Sequence, residues 1–354
     1  MTILNQFLYC LADNICNARI KGFRQNVVFV QLIFWNQPGN RLCGSLSMVK
    51  RWGDKRYYSL DHYLKNTYGE KLYKISLDGG MTCPNRDGTL GRRGCVFCSA
   101  GGSGDFASDR KLSITEQIEQ GKRQVAAKHP GTSYIAYFQA YTNTYAPVAY
   151  LRDVFMEAIR HPEVKILSIA TRPDCLGEDV LKLLDELNQI KPVWIELGLQ
   201  TIHPDTARFI RRGYDLPVFE QAVSRLRLLN IDVIVHTILC LPGEDMEKML
   251  RTVRYLNCQD IQGMKFQLLH ILKNTDLAGY YEKHPFYLPS MEEYFGILGQ
   301  CLCALSPDIV IHRLTGDGPK PLLIAPLWTG NKRQVLNQMQ AYFKKQDIWQ
   351  GKEL

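Results

Sequence analysis

Three cysteines, Cys83, Cys95 and Cys98, lie in the stretch CPNRDGTLGRRGCVFC, spaced C-x11-C-x2-C. A structural zinc site closes its tetrahedron with four ligands. Here there are three, and the closest histidines, His62 and His129, lie outside the stretch. A redox pair would need only Cys95 and Cys98. Three thiolates leave one metal position open, which a catalytic metal needs, and thiolates favour iron–sulfur clusters. Gly88, Gly91 and Gly94 allow the backbone to wrap closely and turn N–H groups toward sulfur. A zinc knob or plain core thiols are the alternatives at this point.

The elements around the loop must hold it still. KLYKISLD (71–78) reads as a strand that runs straight into it. From there β-type runs alternate with amphipathic stretches: strands at 133–140, 164–172, 193–200, 231–241 and 263–271, and helices at 114–129, 146–162, 177–190, 216–230 and 244–257. The strands are rich in Val, Ile, Leu and Phe, as expected where both faces are covered. Repeated βα units predict an α/β fold with a parallel sheet, open or closed into a barrel. Polar residues gather at the strand C-termini (Asp78, Gln139, Arg172, Gln200, Thr237, His270), the rim that carries the chemistry in α/β barrels. Neither a G-x-G-x-x-G fingerprint nor a P-loop follows the first strand. DIVIHRLTG (308–316) reads as another strand.

With 354 residues, 45% apolar and 22% charged, the chain can bury a large core unaided. Eleven scattered cysteines do not look like a secreted disulfide framework, so we expect a reducing cytoplasm with most cysteines as core residues. The net charge of +8 permits nucleic acid without requiring it. NVVFVQLIFW (26–35) is too short to span a membrane, so no membrane partner is expected. A different grammar begins at Met48, and we expect residues 1–47 to be a disordered or mistranslated leader.

The thiol loop resembles that of the radical S-adenosylmethionine (SAM) superfamily. In that superfamily three cysteines follow the first strand of a partial (β/α)6, TIM-like barrel, usually as C-x3-C-x2-C. CVFC keeps the end of the motif. The first gap, widened to eleven residues, matches the Elongator-catalytic-subunit-like proteins, and among them the YhcC/YtqA-type family. RWGDKRYYSL, KISLDGGMTCPNRDGT, GCVFCSAGGSGDFA, YFQAYTNTYAP, TRPDCL, ELGLQT and HTILCLPGE all resemble it, over about residues 51–330. The resemblance implies a barrel core over 48–300 with the cluster loop at 83–98, and a short α/β extension over 301–354. It implies a 4Fe-4S cluster on Cys83, Cys95 and Cys98 with one free iron, chelated by the amino and carboxylate groups of SAM. One electron would then split SAM to a 5′-deoxyadenosyl radical. By the same resemblance Phe97 packs near adenine, and Gln139 and Asn143 meet the methionine amino group. Arg172 pairs with the SAM carboxylate, Glu196 and Gln200 meet the ribose, and His236 lines the adenine or belongs to the core.

The family implies tRNA as partner, at the 5-substituent of the wobble uridine. Without room for an acetyltransferase domain, the expected reaction trims or rebuilds an existing group, for example carboxymethylaminomethyl to aminomethyl. Basic residues in RFIRRGY (208–214), GRRG and the tail (Lys332, Lys344, Lys345) would contact phosphates. An electron donor such as flavodoxin or ferredoxin is implied. The alternatives are a small-molecule enzyme resembling coproporphyrinogen oxidase, which would want arginines aimed at carboxylates in the barrel mouth, and a non-enzymatic iron–sulfur or zinc sensor.

Overall fold

The computed structural model describes residues 52–354 except 103, 129, 130 and 317. The leader expected over 1–47 lies outside the described residues. Strands β1 (Tyr73–Leu77), β2 (Tyr134–Phe138), β3 (Val164–Thr171), β4 (Val193–Gln200), β5 (Asp232–Leu239) and β6 (Gly263–Leu268) are the six read from the sequence. They pair in chain order, each parallel to the next. A short strand β7 (Ile271–Leu272) follows, and β8 (Val310–Arg313) then adds a seventh parallel strand beside β6. The sheet is an open half-barrel of seven strands, with β1 and β8 at its edges.

Strand periodicity sorts the side chains. One face of every strand packs against helices. Leu77, Phe138, Ile169, Leu197, Val235 and Phe266 meet Phe155, Leu184, Phe219 and Leu298 in one large core. The other face looks into the half-barrel, and its residues fall into layers. The lowest layer is apolar: Leu72, Ile135, Ile166, Trp194 and Ile234 form a plug. Helix α1 (Leu60–Tyr68) closes the plug from below with Leu64. Ser59 caps that helix by accepting from His62 N, and Gly69 ends it in the left-handed region. One step up each strand the layer turns polar, with Lys74, Tyr137, Ser168, Glu196, His236 and Lys265.

The C-terminal segment also builds the mouth. Strand β9 (Leu323–Ala325) pairs antiparallel with β7. The turn before it brings Gly316, Gly318 and Pro319 to the rim of the central cavity. Tyr58 N donates to Gln350 Oε1 at 2.8 Å and Ile311 N to Tyr58 O at 2.7 Å. Both ends of the described chain are thus tied to the edge strand β8.

Candidate active site

The widened cysteine spacing is accommodated by a loop that closes on itself. Arg86 N and Asp87 N donate to Cys83 O at 2.8 and 3.2 Å, which turns the chain immediately after the first thiol. Leu90 N and Gly91 N return to Pro84 O, and Gly94 N reaches Asn85 O at 2.8 Å. The extra residues form a side lobe, and Cys95 comes back beside Cys83. Gly94 has φ +71°, and a Cβ there would lie 3.0 Å from Arg86 Nε, so the return requires glycine. Arg86 clamps the far end, donating to Cys98 O at 3.2 Å and Ser99 O at 2.6 Å. Val96 N donates to Ile210 O and accepts, through its carbonyl, from Leu277 N, which pins the CVFC stretch to the segments after β4 and β7.

Cys83, Cys95 and Cys98 are free, half-buried thiols that line one cavity of about 240 Å³. Among the described residues no three His, Cys, Asp or Glu side chains gather as a single metal ion needs. The Cys98 thiol donates to Cys95. With Asn85 Nδ2 at 3.6 Å and the Arg172 and Arg211 charges nearby, this bond holds Cys95 below the ordinary thiol range against burial. The same bond, together with burial, pushes Cys98 up. A low thiol in a cationic setting is ready to ligate as thiolate, so the residues present fit an iron–sulfur cluster.

Phe97, Gln139, Arg172, Glu196, Gln200 and His236 line the same cavity. Gln200 sits at a bulge where the β4–β5 register shifts, with φ 66°, and a Cβ on Gly198 would meet its amide nitrogen at 2.9 Å. Strand end and glycine together aim this amide into the cavity. Asn143 is not among the lining residues. It is wholly buried, and its Nδ2 donates to Phe138 O at 3.1 Å and Ala170 O at 2.8 Å, stapling β2 to β3.

Arg172 and Glu196 line the cavity with their polar atoms engaged by neighbouring groups. Arg172 turns its fork on Asp174, with Nε–Oδ1 2.9 Å and Nη2–Oδ2 2.7 Å, and spends Nη1 on Arg212 O. Glu196 has both oxygens engaged. Oε1 accepts from Lys74 Nζ at 2.5 Å and Ser168 Oγ at 2.9 Å; Oε2 accepts from His236 Nε2 at 2.7 Å and from Lys265 Nζ. Burial pushes this carboxyl up, yet Lys265, Lys74 and His236 hold it well below its usual range. Burial and the Lys265 charge lower His236 to about 4, so its ring is neutral and donates from Nε2.

The sequence reading missed Tyr137, Lys265, Gln267 and Arg313, which also line the cavity. A signal was present: Lys265 and Gln267 alternate with apolar residues along GMKFQL, the period of a strand with one polar face. In RFIRRGY, Arg212 is buried and braces Leu199 O, Thr201 O and Tyr214 O. Arg211 pairs with Asp276, and Arg208 pairs with Asp205 on the surface. Cys240, Cys301 and Cys303 are buried.

The geometry can be set beside known proteins. The profile described as Radical SAM superfamily matches residues 88–256, and that of the Radical_SAM C-terminal domain matches 261–345. The chain is 43% identical to YtqA of Bacillus subtilis over 299 residues, covering 84% of this chain and 93% of that protein. It is 33% identical over 185 residues to the tRNA uridine(34) acetyltransferase of Methanocaldococcus jannaschii, covering 51% of this chain and 33% of that protein. Among solved structures, the archaeal Elp3 of Methanocaldococcus infernus superposes with a TM-score of 0.61 at 15% identity, covering 79% of this chain and 64% of that one. That likeness speaks for the fold alone.

Proposed function

Because this chain belongs to the radical SAM superfamily, we propose that it is a tRNA-modifying member, acting on the 5-substituent of the wobble uridine. The family implies a 4Fe-4S cluster and SAM. When bound, these supply a one-electron cleavage that yields a hydrogen-abstracting radical. Cys83, Cys95 and Cys98 would hold the cluster. Phe97, Ile210 and Ile238 line the same cavity with apolar surface that keeps water from the reacting atoms. Gln139 and Gln200 present amides that would orient SAM, with Gln200 fixed by its bulge. Arg172 and Glu196 would act at one remove. The first braces the loop that carries Arg212, and the second fixes the lysines below.

The observation that carries the tRNA reading is the mouth. Phe106 lies at the cavity rim with 56% of its surface exposed, where it offers a stacking face to a base splayed out of its strand. Arg92 and Arg93 are exposed on the neighbouring thiol loop, as phosphate contacts would be. The similarity to a tRNA uridine(34) acetyltransferase points the same way. It spans one third of that protein, so acetyl transfer is not carried over. Conversion of a carboxymethylaminomethyl group to aminomethyl would follow if a hydrogen atom left the carbon between amine and carboxylate, a one-electron acceptor took the second electron, and water hydrolysed the resulting iminium, breaking the C–N bond and releasing the two carbons as glyoxylate.

The test is nucleoside analysis of tRNA from cells lacking the chain. The wobble uridine should stop at a 5-substituted precursor, and the full-length protein should restore the product while its Cys98→Ala variant does not. An unchanged nucleoside profile contradicts the reading.

A further inference from the structure

Below the thiols, the polar layer of the half-barrel sets three cations, Lys74, Lys265 and Arg313, against one carboxylate among the described residues. Glu196 is shared by Lys74 and Lys265, whose side chains are 20% and 5% exposed, while Glu196 itself is fully buried. Arg313 is the partner of Lys265 in the β6–β8 register and lines the cavity with it. Among the described residues no hydrogen bond or ion pair holds the Arg313 guanidinium. His236 is neutral and adds no charge. The thiols have cations of their own in Arg86, Arg172 and Arg211.

Buried cations in excess of their counter-charge are costly, and a fold keeps them where a ligand supplies the missing anion. Lys265 also donates to Tyr137 Oη at 3.2 Å, and Gln267 Nε2 lies 3.5 Å from His236 Nδ1. The floor therefore offers an ammonium, a planar guanidinium, a hydroxyl and an amide along the wall of one cavity. Burial, with the Lys74 and Arg313 charges, pushes the Lys265 ammonium well down, the state that an arriving anion relieves.

We propose that this floor is a receptor for a carboxylate carried by the substrate, bound by Lys265 and Arg313. Because Lys265 is so deeply buried, the anion must come at the end of a thin arm, which a sugar–phosphate backbone is not. A guanidinium fork matches one planar carboxylate. The identity of the substrate rests on the tRNA reading above, in which the arm is the carboxymethylaminomethyl group, its carboxylate anchored on the floor and its methylene carbons left near the thiol end.

Two matched pairs test this on the full-length protein, with binding as the readout. The first is N-benzylglycine against N-benzylglycinamide, followed by ligand-observed NMR. The second is an anticodon stem-loop RNA with 5-carboxymethylaminomethyluridine at the wobble position against its methyl ester. The carboxylate should bind about tenfold or more tightly than its neutral match. Arg313→Gln should erase the gap, and Arg313→Lys should keep most of it. If acid and amide bind alike to the wild-type protein, and RNA acid and ester do too, the receptor is wrong while the tRNA reading survives. If the small acid is preferred and neither RNA binds, the receptor stands and the tRNA reading falls. The wild-type comparisons do not depend on any variant folding.

Discussion

His236 and Glu196 show what a single buried contact does in this protein. The ring sits 2.7 Å from the carboxylate, and burial with the Lys265 charge keeps it unprotonated down to about 4. In the unfolded chain the same ring takes a proton near 6.5. Between those values the unfolded state binds more protons, so stability is fully present above the upper value and is lost as pH falls through the window. The drop from 6.5 to about 4 corresponds to about 3 kcal/mol. His236→Gln should flatten this part of the stability–pH curve of the metal-free protein, as read by urea unfolding at a series of pH values. Equal slopes for the two proteins would remove the claim that the ring is buried neutral. At this scale spacing in the sequence grouped Cys83, Cys95 and Cys98, and the three thiols line one cavity. The sequence was blind to Lys74 and Lys265, because a lysine in a strand reads as solvent-facing until the sheet curls and turns that face inward. A structural salt bridge was the alternative for Arg172 in TRPD, and the turn Pro173–Cys175 makes Asp174 its partner.

At the scale of elements, the thiol loop is held by its own backbone. The lobe between Cys83 and Cys95 closes through Pro84 O and Asn85 O, and Gly94 in the left-handed region allows the return. Gly94→Ala should cost about 1–2 kcal/mol of strain. It should also displace Arg86, which clamps Cys98 O and Ser99 O. The expected outcome is a protein with an unchanged far-UV spectrum that retains much less iron after anaerobic reconstitution. Full iron retention would mean that the lobe tolerates the change and does not set the thiol positions. The six strands β1 to β6 and the five longer helices that link them were legible because hydrophobic period reports burial directly: VWIELGLQ was read as 193–200, as observed. Helix α1 and the β7–β9 pair were not legible. The helix is short, with only Leu64 buried, and the pair is two or three residues per strand, too little for a period.

Over the whole molecule, chain order in the sheet explains how distant residues share one cavity. Strands β2 to β5 each deliver one residue to the plug and one to the polar layer above it, and β6 and β8 add Lys265 and Arg313, so the charges of Lys74 and Arg313 both bear on Lys265 although they come from opposite edges of the sheet. The seventh strand β8 closes the floor with Arg313, while the segment after it walls the mouth. The βα count gave a parallel sheet, open or closed, and the half-barrel came from the family resemblance; the contribution of residues after 300 to its interior depends on pairing that no local pattern encodes. Among the described residues no helix is long and apolar enough to cross a membrane.

The central claim is that the three thiols and the cavity form one site, where Cys83, Cys95 and Cys98 would hold a cluster that supplies one-electron cleavage of SAM. The most direct measurement is electron paramagnetic resonance of the full-length protein, reconstituted and reduced without oxygen, with and without SAM. The account predicts about four irons per chain, a reduced-cluster signal that changes when SAM is added, and loss of both in Cys98→Ala. Zinc in place of iron, or a cluster signal that SAM leaves unmoved, would contradict it.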